Sequence, residues 1–170
     1  ARYSALARMA ADAGALGVLL GQHADDQAET VLLALSRGAG LPGLSAMPEH
    51  FERHGMVFGR PLLELPAATL RAWLQLAGHA FVDDPSNTDQ RFTRNRIRAQ
   101  LLPALERAFP QFRDTFSRSA SHAAEAQGIL DEVAAADLSS LMASGGFNIK
   151  SLQQLSPARQ SLVLRHWLKV

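Results

Sequence analysis

The chain has 170 residues, 47% of them hydrophobic, with a formal net charge of +1 and no cysteine. That length suits one ordinary domain or one and a half smaller ones, with enough apolar residues for a core. The lack of cysteine excludes a disulfide framework, a thiolate metal site and thiol or persulfide chemistry from this chain, and the near-neutral charge confines any nucleic-acid contact to local patches.

From Arg2 to about Ala13, Tyr3, Leu6, Ala7, Met9 and Ala10 recur at helical spacing, and Gly14 ends the pattern. "ALGVLLG" then reads as a short strand buried on both faces, of the kind found inside a parallel sheet. A second helix is expected from about Asp26 to Arg37, with Val31, Leu32 and Leu35 inward and Gly38 as its stop. Helix, strand, helix in this order is half of an α/β unit.

The loop "GAGLPGLSAMPEH" follows, and "MVFGRPLLEL" is expected to hold a strand. Pro66 suits the first turn of a helix running to about Ala77. "AFVDDPSNTDQR" reads as an irregular loop leading into the helix "FTRNRIRAQLL", and Pro103 should break that helix so that "PALERAF" stands apart. Beyond Pro110 the composition shifts to Ala, Ser and Glu with apolar residues at helical spacing, and a further helix is expected from about Pro157. No run of about eighteen apolar residues occurs and the N-terminus lacks the sections of a signal peptide, so neither membrane nor export is expected.

Two clusters are candidates for chemistry. In "GQHADDQAET", Asp26 and Glu29 stand at the spacing of a capping box, in which each side chain accepts from an orphan backbone N–H. Asp25 and Asp26 together exceed what a cap needs, and His23 lies at the carboxyl end of the strand, where α/β sheets bind ligands. On a helix Asp26, Glu29 and Thr30 share a face, so one carboxylate could hold Mg²⁺ between phosphate oxygens while another receives a cationic group. Cap and site are both open on spacing alone. In "RFTRNRIRAQLL", Arg91, Arg94, Asn95 and Arg98 share a face suited to phosphate or carboxylate, with Ile97, Leu101 and Leu105 on the buried side. The alternative is a solvated charged face. "SRGAGLPGL" is not followed by Gly-Lys-Ser/Thr and reads as a helix stop and a turn. His50 and His54 carry no metal signature.

Taken in order, "GQHADDQAETVLLALSRGAGLPGLSAM", "RPLLEL", "FVDDPSNTDQRFTRNRIRAQLLPALE" and "FNIKSLQQLSPARQSLVLRHWL" closely resemble the tRNA(Ile)-lysidine synthetase family of PP-loop ATPases. The resemblance implies an α/β fold: the later half of a Rossmann-like ATPase domain with a parallel sheet over 1–110, a connecting helix over 111–136, and the start of an all-α tRNA-recognition region over 137–170. The family's Ser-Gly-Gly-x-Asp-Ser pyrophosphate loop is absent, so the chain reads as an interior piece that is not expected to complete the reaction alone.

The implied reaction uses ATP and Mg²⁺ to adenylate the C2 oxygen of the wobble cytidine of an isoleucine tRNA with a CAU anticodon. Free lysine then displaces AMP to give lysidine. Asp26 would hold the metal, Arg94 and Arg98 the phosphates, Glu29 the lysine ammonium. His23 would orient ATP or accept a proton, both remaining open. Arg37, Asn87, Asn95 and Arg91 match family positions as architecture or as ATP and tRNA contacts. Gln22 stands where many relatives have a second histidine. A cytoplasmic location is implied, and a homodimer is left open.

Three competitors are a tRNA thiolase, against which the absence of cysteine argues, a metal-dependent phosphohydrolase built on His23, Asp25, Asp26 and Glu29, and a tRNA-binding module without catalysis.

Overall fold

The computed structural model describes residues 2–82, 84–142 and 147–169. They divide into two compact units, Ala1–Ser121 and His122–Val170.

In the first unit, α1 (Arg2–Asp12) ends at Gly14, whose φ of +65° is the left-handed stop that glycine favours. Strand β1 (Gly17–Leu19) leads into α2 (Ala24–Ser36), and a short turn of helix, α3 (Leu41–Leu44), sits in the glycine-rich loop. Strands β2 (His50–Arg53) and β3 (Met56–Gly59) form a hairpin through His54 and Gly55, both at positive φ. The sheet is small and mixed, in the order β1-β3-β2, with β1 parallel to β3 and β2 antiparallel to it. The expected parallel pairing holds for β1 and β3, whereas the strand at "HFER", not expected from the sequence, makes the sheet mixed.

A second correction concerns β1, which is not buried on both faces: Val18 is half-buried, whereas Leu16 and Leu19 are 97% and 78% exposed. Among the described residues it is paired with β3 alone. A side chain at Gly17 would bring its Cβ to 3.0 Å from the Val57 carbonyl oxygen, so glycine permits the close pairing with β3. Tyr3 of α1 meets Phe51 and Phe58 edge-on, and those two rings stack at 5.1 Å, which fixes α1 against the sheet.

Beyond the sheet come α4 (Ala67–Leu76), a 3₁₀ turn (Pro85–Thr88), α5 (Thr93–Arg96), a π-helical turn (Ile97–Leu101) and α6 (Leu102–Ala108). Pro103 does interrupt the helix, and the chain answers by widening it. Pro103 has no N–H to offer Ala99, and the N–H of Leu102 bonds back to Ile97. The wider turn moves the apolar register by one residue. Leu102 joins Ile97 in the core, and Leu101, expected to be buried, is 42% exposed. Leu35 is likewise exposed, while Val31 is buried as expected.

Helix α7 (Phe112–Met142) begins in the first unit, where the fully buried Phe112 packs with Ala28, Ile97 and Leu102. Through Ala28, with Leu32 and Leu33 packed against it, this cluster anchors α2. In the second unit the rest of α7 is followed by α8 (Ile149–Gln154) and α9 (Pro157–Trp167), capped by Asn148 and Ser156. Val163 and Ala134 are fully buried there, Arg159 pairs with Asp137, and Phe147 lies 4.9 Å from Trp167. Among the described residues no helix is long and apolar enough to cross a membrane.

Candidate active site

The segment Arg60–Pro66 builds the platform. It continues β3 alongside the chain that leaves β1: Leu20 N–H donates to Gly59, His23 bridges Leu62 in parallel, and Ala24 N–H donates to the Leu65 carbonyl. His23 is thereby held at the carboxyl end of the sheet. Arg60, buried, donates to the Gln22 side chain at 3.3 Å and to the Pro48 carbonyl at 2.6 Å. Gln22 thus has a structural partner. Gln27 makes paired bonds to the backbone of Met47, at 2.9 and 3.0 Å, and pins the loop on the other side of α2.

The capping box exists, three residues earlier than its spacing suggested. His23 is the N-cap: its Nδ1 accepts from Asp26 N–H at 3.4 Å, and Asp26 Oδ2 accepts from His23 N–H at 3.1 Å. Histidine is not among the favoured caps, which is why the sequence pointed to Asp26 and Glu29 instead. Glu29, released from capping, faces inward and is fully buried.

Glu29 meets the arginine helix. Arg98 donates through Nε to Glu29 Oε1 and through Nη2 to Glu29 Oε2 at 3.3 Å and Asp26 Oδ1 at 2.7 Å. Arg94, 47% exposed, lies 3.8 Å from Glu29 Oε2 and 3.4 Å from the Thr30 hydroxyl. Burial pushes the Glu29 carboxyl above its usual range, even against the attraction of Arg98. Burial acts to lower Arg98, but Glu29 and Asp26 outweigh it and hold the guanidinium above its ordinary value.

A second ion network adjoins the first. Asp25 accepts from Ala67 N–H at 2.8 Å and from Arg113 Nε at 2.7 Å, and Arg113 also holds Glu106. Burial acts to raise the Asp25 carboxyl, yet the Ala67 N–H and the Arg113 guanidinium together keep it below the usual carboxylate range. The networks share a cleft of about 480 Å³ whose walls include His23, Asp25, Arg98, Glu106 and Arg113.

Of the residues singled out by sequence, His23, Asp26, Glu29, Arg94 and Arg98 come together. Asn95 is buried behind them, its amide donating to the Ser86 and Asp89 carbonyls at 2.7 and 2.9 Å, which ties the 3₁₀ turn to α5. Arg91 does not share their face: it precedes α5 and is clasped by Asp89 at the surface. Asn87 is exposed in the 3₁₀ turn. Arg37 caps the far end of α2, roughly 20 Å from His23 along the axis. Arg113 and Glu106 escaped the sequence reading, since nothing local marks a contact across 88 residues.

Asp26 does not offer a free carboxylate to a metal. One oxygen takes the His23 N–H and the other the Arg98 guanidinium, and among the described residues no three His, Asp or Glu side chains converge as a metal site. The described residues thus form no cage of protein ligands for Mg²⁺, an ion ordinarily held by one or two carboxylates together with substrate phosphates.

Charged side chains beyond the carboxyl end of a parallel strand pair, facing a cleft, are what nucleotide-using α/β domains present. Residues 1–105 match the family model described as a PP-loop domain, and the chain belongs to that family. Residues 147–170 match the TilS substrate binding domain. A tRNA(Ile)-lysidine synthase from Polaromonas naphthalenivorans is 67% identical over 99% of this chain and 51% of its own length. Those from Ralstonia nicotianae and Bordetella pertussis are 45% and 43% identical, with 36% and 54% of their lengths covered. The chain spans about half, or less, of the curated relatives it matches.

Proposed function

We propose that the protein carrying this chain joins lysine to C2 of the wobble cytidine of an isoleucine tRNA with a CAU anticodon, using ATP and passing through an adenylated tRNA. The reading rests on similarity to the named synthases over 99% of the chain, together with the meeting of Arg94 and Arg98 with Asp26 and Glu29. Within it, 1–110 belongs to a Rossmann-like ATPase domain, 111–136 connects, and 137–170 opens the tRNA-recognition region.

Arg94 offers an exposed guanidinium to the ATP phosphates, and Arg98 follows it as charge develops on the departing pyrophosphate. Arg98 donates to both carboxylates, Glu29 and Asp26. When phosphate draws Arg98 away, Glu29 is left buried and uncompensated, and the ammonium of lysine replaces the lost cation. Asp26 holds Arg98 until that exchange. His23 presents its ring at the cleft to orient ATP or take up a proton. No step is assigned to a metal held by these residues.

Incubation of the intact protein with isotopically labelled lysine, ATP and the isoleucine tRNA, followed by mass analysis of its nucleosides, tests the proposal. A lysine-bearing cytidine is expected. Unmodified cytidine beside ATP consumed without lysine would favour the phosphohydrolase reading.

A further inference from the structure

Helix α4 starts after Pro66, whose side chain has no acceptor with which to cap it. Asp25 supplies the missing acceptor across 42 residues, taking the Ala67 N–H on Oδ2. The same oxygen lies 3.8 Å from His23 Nδ1, too far for a hydrogen bond. Its other oxygen is taken by Arg113 in the first turn of α7, and Arg113 is itself braced by Glu106 of α6. One carboxylate thus fastens the first turns of α2 and α4, and one guanidinium fastens that carboxylate. Arg113 also stands over the ring of Phe112, with its guanidinium carbon 4.6 Å from the centroid, and Phe112 is fully buried in the core.

We propose that Arg113 is a positioning residue: through Asp25 it fixes the first turn of α2 and so sets where the His23 ring stands at the cleft. Its planar fork reaches Asp25 and Glu106 at once, which the single ammonium of lysine would not reproduce in the same plane. Arg113 itself touches no reacting atom in this scheme. Its effect belongs to the turnover step, because misplacement of reacting groups by about 1 Å costs on the order of 10²-fold in rate. For its kinetic part this inference rests on the ligase reading above.

The test compares Arg113→Ala, Arg113→Lys, Asp25→Asn and the double variant Asp25→Asn/Arg113→Ala in the intact protein, with thermal unfolding followed in parallel. Arg113→Ala should lower kcat by up to about 10²-fold while the KM for ATP changes much less. Arg113→Lys should recover only part of that loss, and it serves in place of the alanine variant should that one fail to fold. The double variant should be no slower than Asp25→Asn, because both changes break one linkage. A folded Arg113→Ala protein with wild-type kcat, or independent multiplication of the two effects, overturns the proposal. The ring Cε1–Hε1 NMR signal of His23 supplies a reading that needs no ligase activity. It should shift in Arg113→Ala and return partway in Arg113→Lys, whereas an unmoved signal overturns the proposal even where the ligase reading stands. Absence of lysine-dependent turnover in the wild-type protein speaks against the ligase reading alone.

Discussion

Arg98 reaches across 69 residues of sequence to lay its guanidinium on Glu29, a carboxylate with no exposed surface. Removing either partner leaves the other in a poor environment, and the asymmetry between them yields a stability prediction. Arg98→Ala should cost about 2–3 kcal/mol, below the fully buried range because Arg98 is itself 36% exposed. Adding Glu29→Gln should recover part of that loss, since the fully buried charge is gone and only Asp26, still held by the His23 N–H, has lost a cation. Chemical denaturation of the single and double variants measures both, and a double variant less stable than Arg98→Ala would contradict the account.

Arg94 stands apart from Arg98 energetically. It is half-exposed and its contacts to Thr30 and Glu29 are long. Arg94→Ala should therefore change stability by no more than about 0.5 kcal/mol. Adenylate formation should nonetheless fall on the order of 10²-fold, as when other preorganised donors to developing charge are lost. Single-turnover adenylation at a normal rate would return this arginine to the solvated surface.

For Glu29→Gln the prediction is a split. The KM for lysine should rise by about tenfold or more, the equivalent of losing roughly 1.4 kcal/mol of binding, while that for ATP moves little. Unchanged lysine dependence in steady-state kinetics would remove Glu29 from the lysine site.

The exchange of partners at Arg98 also predicts coupling between substrates. Lysine should bind more tightly to the intact protein when an ATP analogue is present, by a factor within the roughly 5–150-fold span usual for linked sites, and ATP should gain equally from lysine. Calorimetric titration of each in the presence of the other reads this directly. Equal affinities would mean that Arg98 does not move between carboxylate and phosphate.

Asn95 carries a structural prediction. Its amide makes two bonds to the 3₁₀ turn, so Asn95→Ala should cost roughly 1–2 kcal/mol. Amide exchange should quicken first at Ser86 to Asp89, and exchange unaltered there would show that the turn holds by itself.

Much of this was legible in the chain because its signals are local. Gly14, Gly38 and Gly78 each end a helix at positive φ, where sequence periodicity stopped. Pro103 marked a break correctly. Its consequence could not be read, because whether a helix kinks, stops or widens depends on what packs behind it, and the widened turn chose Leu102 over Leu101. The cap was misplaced by three residues because the actual N-cap is a histidine. The hairpin at His54 and Gly55 has no strong local signal, because histidine takes the place of the usual Asn or Asp before glycine and the strand His50–Arg53 is largely polar. Of the site, the residues on α2 and α5 were found by spacing, while Arg113 and Glu106 are joined to it only by the fold.

Release of AMP from ATP by the intact protein, measured with and without lysine and with isoleucine tRNA bearing a CAU anticodon against methionine tRNA, tests the ligase assignment most directly. The account predicts release that requires lysine and occurs with the isoleucine tRNA alone. Equal release with both tRNAs, or nucleotide hydrolysis that ignores lysine, would contradict it.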